Sequence, residues 1–201
     1  MTTILPQEKR FTCQRSGHCC CDREIIVTLT YRDIFRLFTA LEQSFQKLLK
    51  QISFYRLDKS TQSVLKAQMV LNPIQTSQGN IIPGLRKRKD DSCIFYFRPN
   101  CTIYSQRPLA CKNYPLAFIK EKKEILCVWA KKSLKTCPGI GKGQLLKLNE
   151  IKNRGTDYFK EINLHNHVVN ELNIEAKNGR PLSARECLWI LLAYGEKENQ
   201  Q

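Results

Sequence analysis

Cysteine is the residue type whose number and spacing most clearly indicate chemistry in this chain. Ten cysteines occur in 201 residues. Nine of them fall into three groups, which are Cys13, Cys19, Cys20 and Cys21; Cys93, Cys101 and Cys111; and Cys127 and Cys137. Thiolates are soft ligands that suit zinc and iron–sulfur clusters and bind magnesium or calcium poorly. The grouping therefore predicts a metal centre built from distant stretches of the chain.

The spacing of the cysteines favours an iron–sulfur cluster over zinc. Structural zinc sites usually contain two C-x2–4-C or H-x3–5-H pairs, and no C-x2-C pair occurs here. His165 and His167 lie in a polar helical stretch and are expected to face solvent, while His18 lies among thiolates that suffice without it. Scattered ligation by thiolates alone fits an iron–sulfur site better, with zinc as the alternative.

Neighbouring cysteines raise the question of how many centres there are. Cys19 and Cys20 are adjacent, so their side chains are expected to point in different directions. One of them would then bind a first centre while its neighbour binds a second, stays buried or takes part in redox chemistry. Seven or eight thiolates are enough for two four-ligand sites, or for one site with spares. Cys187 stands alone in an apolar helix and is predicted to be a small buried core residue.

The elements that must position the first thiols follow an alternating pattern of short strands and helices. β-branched residues predict a strand over 25–29. A helix capped by Thr30 follows, and its apolar stripe continues to Ile52. A second helical pattern covers 60–71. Residues 72–92 are expected to form a loop that turns at Pro83-Gly84.

Strands and then helices are predicted for the rest of the chain. Two short strands, 93–97 and 101–104, flank a turn, Pro108 can open a short helix, and 118–119 pairs with 125–129. Helical spacing covers 145–152 and 158–177 with a break at Gly155, and a last helix runs from the capping box of Ser183 and Glu186 to Gly195. The chain is therefore predicted to be α+β, with a cysteine-cluster metal-binding domain over 1–143 and a helical C-terminal extension over 144–201 packed on it.

The charge balance and the absence of a targeting signal limit the possible partners and compartment. The net charge of +15 comes from 33 basic and 18 acidic side chains, with one tight basic run at 86–89. Such a charge makes nucleic acid or an acidic protein surface a possible partner. The longest apolar run has eight residues, too short to cross a bilayer, and the N-terminus has no signal-peptide core. A cytoplasmic protein is expected, in which clustered thiols favour metal binding; disulfides of the thermophile type are the alternative.

Two segments of the chain resemble the YkgJ-type cysteine-cluster family, a zinc- or iron-chelating domain with a C-x2-C-x2-C-C signature. The first is FTCQRSGHCC at 11–20, and the second is CTIYSQRPLACKNYP at 101–115. The strand and capped helix over 27–34, Cys93, and CPGIG at 137–141 are similar as well. The resemblance covers roughly 11–143. It departs from the signature at Ser16, where the family often has cysteine, and the additional Cys21 or Cys127 could substitute for that ligand.

The resemblance implies a metal-binding domain but no particular reaction. The ligands it implies are Cys13, Cys19, Cys20, Cys93, Cys101, Cys111 and Cys137, and Tyr104 and Arg107 would contact or orient them from outside. Flagellin lysine methylases contain a similar cysteine cluster, so a protein lysine methyltransferase or an oxidoreductase is one alternative. A basic nucleic-acid-binding module is another. Catalytic residues are not indicated. The glycines over 139–143 lack the spacing of a phosphate-binding loop and are predicted to shape a turn.

Overall fold

The computed structural model describes residues 3–4, 10–42, 44–57, 70–122 and 124–200. Within these ranges the helices are α1 His18–Cys21, α2 Tyr31–Ala40, α3 Phe45–Gln51, α4 Leu109–Asn113, α5 Ser133–Thr136, α6 Leu148–Asn178 and α7 Ala184–Asn199. The strands are β1 Thr3–Ile4, β2 Arg10–Phe11, β3 Ile52–Arg56, β4 Ile74–Thr76, β5 Gly79–Leu85, β6 Tyr96–Phe97, β7 Asn100–Cys101, β8 Leu116–Glu121, β9 Glu124–Trp129 and β10 Gln144–Leu145. The fold is α+β, as the sequence predicts.

Two small sheets and two ribbons contain the described strands. One sheet has the order β1-β9-β8 and the other β3-β5-β4, while β2 pairs with β10 and β6 with β7. A large core joins α2, α3 and α7 to the β3-β5-β4 sheet, and a smaller core lies between the β8–β9 hairpin and the start of α6. Among the helices that the structure describes, none combines the length and the apolar character needed to cross a membrane.

The first predicted helix begins where expected but ends early. The Thr30 side chain accepts a hydrogen bond from the N–H of Asp33, and the Asp33 side chain accepts one from the N–H of Thr30, which confirms the cap. The predicted continuation to Ile52 is wrong. The chain turns after α2, Glu42 takes a positive φ of 46°, and Ser44 caps the separate helix α3. The apolar stripe persists because both helices face the same core.

The loop predicted over 72–92 is also wrong, since it contains β4 and β5. Pro83 and Gly84 lie inside β5 rather than in a turn. A Cβ at Gly84 would lie 2.8 Å from the carbonyl oxygen of Val27, so this glycine permits a close approach of two backbones. The predicted strand over 25–29 is extended along β5, but only a single bridge forms, between Thr28 and Gly84. The helical pattern over 60–71 lies mostly outside the described residues.

Both predicted hairpins are present, with different lengths. The strands predicted as 93–97 and 101–104 shorten to β6 and β7. The pair predicted as 118–119 and 125–129 lengthens to β8 and β9, which run from Leu116 paired with Trp129 to Glu121 paired with Glu124. The short helix predicted at Pro108 is present as α4, but it begins at Leu109, so Pro108 is its N-cap rather than its first residue. The predicted extension over 144–201 contains β10, α6 and α7, and its boundary at residue 143 stays a prediction.

Two glycines expected to interrupt helices lie inside them. α6 runs unbroken through Gly155, where a Cβ would lie 2.9 Å from Cγ2 of Ile125. α7 passes Gly195, where a Cβ would lie 2.4 Å from Cβ of Phe35. Both glycines therefore permit close packing. The capping box of Ser183 and Glu186 and the burial of Cys187 are confirmed.

His165 corrects the expectation that both histidines of α6 face solvent. His165 is 0% exposed, and its Nδ1 accepts a hydrogen bond of 3.1 Å from the backbone N–H of Tyr31. His167 faces solvent as expected, with 72% of its side chain exposed. His167 lies two positions after His165, a rotation of about 200° around an α-helix, so the two side chains lie on opposite sides of α6.

Replacing Gly195 by alanine is expected to destabilise the protein. Overpacking costs about 1–3 kcal/mol, which exceeds the helix-propensity gain of about 1 kcal/mol, because the new Cβ would meet Phe35. A net loss of about 1 kcal/mol in the free energy of unfolding should appear in urea denaturation. Gly179→Ala is the matched control, since its nearest neighbour would be 3.4 Å away; equal losses in both variants would contradict the packing argument.

His165 predicts a loss of stability as the pH falls from about 6.5 to about 4. Burial lowers its pKa from 6.5 to about 4, while Glu161 opposes this shift. Above pH 6.5 the imidazole is neutral in both states. Below that pH the unfolded chain takes up a proton that the folded protein does not, so the free energy of unfolding falls by about 3 kcal/mol in total.

Urea denaturation at a series of pH values measures this loss. His165→Gln should flatten this pH profile, because the variant has no buried imidazole that takes up a proton on unfolding. A profile with the same slope in wild type and in the His165 variant would contradict the assignment.

Candidate metal centre

Backbone hydrogen bonds bring the three cysteine-bearing segments together. The N–H of Cys93 donates to the carbonyl of Cys20 at 2.7 Å, and the N–H of Thr12 donates to the carbonyl of Gly139 at 3.2 Å. β2 also pairs with β10. The N-terminal loop therefore lies between the middle hairpin and the turn that contains Cys137.

Gly17 provides the tight turn at the centre of this region, as the sequence predicts. Its φ is 75°, and a Cβ would lie 1.9 Å from the hydroxyl oxygen of Tyr96. Tyr96 in turn pairs with Cys101 across the β6–β7 ribbon. The loop can approach the ribbon so closely only because residue 17 has no side chain.

The single helical turn α1 presents the adjacent thiols of the first group. The N–H groups of Cys20 and Cys21 both donate to the carbonyl of Gly17. The sulfurs of Cys19 and Cys20 lie 4.0 Å apart, so the expectation that these neighbours point in different directions is wrong. Two thiolates bound to one tetrahedral zinc at 2.3 Å would be about 3.8 Å apart, so the pair could share one ion.

The basic run over 86–89 holds the loop around Cys93. The Arg88 guanidinium donates to the carbonyls of Cys93, Ile94 and Tyr96 at 2.9, 2.5 and 2.7 Å. Lys87 donates to the carbonyls of Asp22 and Arg23 at the end of α1. These cations thus satisfy backbone acceptors beside the thiols and link the Cys93 loop to α1.

Side chains from two distant helices hold α4, which contains Cys111, at both ends. Its first N–H, that of Leu109, donates to Oδ1 of Asp33 in α2 at 2.9 Å. At its other end, Arg154 of α6 donates to the carbonyl of Lys112 at 3.0 Å. A carboxylate at the N-terminus and a guanidinium at the C-terminus both complement the helix dipole.

Tyr104 and Arg107, predicted to lie outside the ligands, form a stack together with Arg15. The guanidinium carbons of Arg15 and Arg107 lie 4.4 and 3.7 Å from the centre of the Tyr104 ring. Nε of Arg107 donates to the carbonyl of Tyr104 at 2.8 Å. These two cations therefore lie beside the first and second cysteine groups.

Neighbouring groups shift the thiol pKa values in opposite directions. The hydrogen bond from Cys20 lowers the pKa of Cys19 to about 7 against the effect of burial, and Arg107 lowers it further. The same hydrogen bond and burial raise the pKa of Cys20. Burial raises the pKa of Cys93, Cys111 and Cys137, while backbone N–H groups facing the sulfurs of Cys93 and Cys137 oppose that rise.

The predicted ligands share one region, but their sulfurs do not surround a common point. Across the described ranges, no three Cys, His, Asp or Glu side chains are arranged to hold a metal ion. The proposed ligand set therefore stays a prediction. All ten cysteines are free thiols, which gives the disulfide alternative no support. Cys127 is buried in the smaller core beside β8 and α6, whereas Cys21 lies on α1 with Cys19 and Cys20.

Comparison with known proteins assigns the chain to a family. Residues 12–138 match the model of the CxxCxxCC family, which is described as "Putative zinc- or iron-chelating domain". The chain belongs to the CxxCxxCC family. Searches of curated proteins and of solved structures found no match. The matched range of this CxxCxxCC domain includes all three cysteine groups and excludes all of α6 and α7.

The donor atoms of this CxxCxxCC domain fit a zinc or iron centre. Eight thiols lie in segments joined by backbone bonds, and the carboxylate of Asp22, the residue after Cys21, accepts a hydrogen bond of 2.6 Å from Lys132. The N–H groups and guanidinium groups at the sulfurs are the outer contacts that tune such centres. The sequence did not reveal the roles of Asp33, Arg88 and Arg154. Asp33 and Arg154 bond to residues that are distant along the chain, and Arg88 bonds to backbone carbonyls, which have no signal in the sequence.

Arg154→Met is expected to weaken metal retention. The substitution leaves the carbonyl of Lys112 without this donor, so Cys111 is held less firmly, and loss of such an outer contact typically costs about tenfold or more in metal affinity. The amount of metal retained during an EDTA challenge measures the effect. Arg180→Met is the control, because Arg180 pairs with Glu186, outside the three cysteine groups. A lower melting temperature with unchanged metal retention would show that Arg154 has no effect on the centre.

Proposed function

We propose that this protein holds an iron–sulfur cluster through cysteine thiolates, in a reducing cytoplasm. The ligands are drawn from Cys13, Cys19, Cys20, Cys93, Cys101, Cys111 and Cys137. The observation that carries the proposal is the convergence of three cysteine-bearing segments through backbone hydrogen bonds, with every thiol free. The family description, zinc- or iron-chelating, supports the same class of centre.

The kind of donor supports iron–sulfur binding over a carboxylate-bound ion. Thiolates favour zinc and iron–sulfur clusters, and oxygen ligands favour harder ions. His18 is exposed, and the nearby carboxylates are engaged in ion pairs with Lys132. Backbone N–H groups and the Arg107 guanidinium face the sulfurs, where they would stabilise the negative charge of a thiolate-bound cluster.

Among the described side chains, no three sulfurs converge on one point. Metal binding would explain this, because the cysteine side chains would turn toward the metal only when it binds. Metal binding is commonly coupled to the last step of folding, since deprotonated thiols near one another repel until an ion joins them. Backbone contacts would fix the loop positions, and rotation of the cysteine side chains would close the ligand shell. The methyltransferase and oxidoreductase alternatives stay predictions without a supporting contact.

Anaerobic purification followed by absorption spectroscopy and elemental analysis tests the proposal. A broad visible absorption band, with iron and acid-labile sulfide in equal amounts, is expected. Cys111→Ser should abolish this band, because the thiol of Cys111 lies on α4 between the contact with Asp33 and the contact with Arg154. A colourless protein with stoichiometric zinc would be consistent with a thiolate metal site but would contradict the iron–sulfur cluster.

Cys187→Ala is the matched control for Cys111→Ser. Cys187 is buried in the large core and belongs to none of the three cysteine groups, so its loss should lower stability by about 1 kcal/mol and leave the metal content unchanged. A folded wild-type protein that contains neither iron nor zinc after anaerobic purification would contradict the proposal.

A further inference from the structure

The three cysteine-bearing segments contain many positive charges and no negative charge. Residues 10–21, 92–112 and 131–147 contain no aspartate or glutamate. Their ten basic residues are Arg10, Arg15, Arg98, Arg107, Lys112, Lys131, Lys132, Lys135, Lys142 and Lys147. The backbone bonds that join these segments place the charges in one region, which we name the cysteine surface.

A metal centre cannot account for this charge. Four thiolates around a divalent ion carry about −2, so two such centres would carry about −4. Lys132 pairs with Asp22 and Glu24, and Lys147 pairs with Glu150. Even with Arg10 set aside, the other seven cations exceed the charge of two centres. The excess favours a polyanionic partner.

The basic run over 86–89 contributes little to this excess. Arg86, Lys87 and Arg88 direct their donors to backbone carbonyls, among them those of Leu49, Asp22 and Cys93. The cations available to a partner are therefore those of the cysteine surface, where Lys112, Lys131, Lys135 and Lys142 are exposed.

An exposed aromatic ring belongs to the middle segment of the cysteine surface, directly before Arg98 in the sequence. Phe97 is 60% exposed at the tip of the β6–β7 ribbon. The Arg88 guanidinium lies 4.2 Å from the centre of its ring and is fixed by three carbonyls. Arg88 thus supports one face of the ring while much of the side chain remains open to solvent. Aromatic rings beside a positive surface are the usual means of binding unpaired bases.

We infer that the cysteine surface binds single-stranded nucleic acid, with phosphates along its lysines and arginines and a base stacked on Phe97. Unpaired bases are required for the stacking contact, which favours a single strand over a duplex. This inference does not depend on the identity of the metal, because the charge excess holds for zinc and for a cluster.

Fluorescence anisotropy of a labelled 20-nucleotide single strand, at a series of salt concentrations, tests the inference on the full chain. Phe97→Ala should weaken binding about tenfold with little change in salt dependence, because it removes stacking alone. The double variant Lys135→Gln/Lys142→Gln should reduce the slope of log K against log salt by about 1.4, since each phosphate contact contributes about 0.7 for single strands.

Lys47→Gln/Lys177→Gln is the matched control, with the same change in net charge outside the cysteine surface. An equal reduction of the slope in this control would overturn the assignment of the surface, as would an unchanged slope in the Lys135/Lys142 variant. Equal affinity for a duplex, or no effect of Phe97→Ala, would reject base stacking. Competition by polyglutamate as strong as by unlabelled single strand would indicate an acidic protein surface instead.

Discussion

The buried carboxylate of Asp33 is the contact on which the geometry of the cysteine region depends. It accepts the N–H of Thr30, which completes the cap of α2, and the N–H of Leu109, which begins α4. Arg36 bonds to Asp33 at 2.5 Å and to Glu161 of α6 at 2.9 Å. Burial raises the pKa of Asp33, and Arg36 opposes that rise. Removing one member of such a group would leave an unpaired buried charge, which costs about 3–5 kcal/mol. Three helices distant in sequence are therefore held together by one set of charges.

Basic residues perform a second structural task, which is to satisfy backbone carbonyls in irregular segments. Loops around a metal site cannot pair all their carbonyls in sheets or helices, and each unpaired buried carbonyl is unfavourable. Arg88 bonds to three carbonyls of the Cys93 loop, and Arg154 to one at the end of α4. A guanidinium suits this task because it has five donors in a fixed plane. Net charge alone therefore overstates how many cations are free to meet a partner.

Local signals were sufficient to predict the elements that depend on neighbouring residues. The caps at Thr30 and Ser183, the β8–β9 hairpin and the turn at Gly17 follow from residues a few positions apart. Contacts between distant segments explain what the sequence could not predict. Glycine often ends a helix, yet Gly155 and Gly195 lie inside helices, where they pack closely against Ile125 and Phe35. His165 lies in a polar stretch, but one side of that stretch packs on Tyr31. The number and grouping of the cysteines were evident from the sequence, whereas the hydrogen bonds that bring the groups together were not.

The arrangement of the thiols separates the contribution of the fold from that of the metal. Hydrogen bonds such as the one from Cys93 to Cys20 fix the backbone, and Gly17 allows the loop to touch the ribbon. The side chains are less constrained, because a cysteine has one rotatable bond between its backbone and its sulfur. Cys19 and Cys20 show the consequence, since their sulfurs are in contact although adjacent residues often diverge. With Ser16 in place of the second cysteine of the family signature, the N-terminal loop has four thiols only because Cys21 follows the Cys19-Cys20 pair. The other predicted ligands lie in the hairpin, in α4 and in the Cys137 turn, and that is why the attachment of these segments to the loop matters for metal binding.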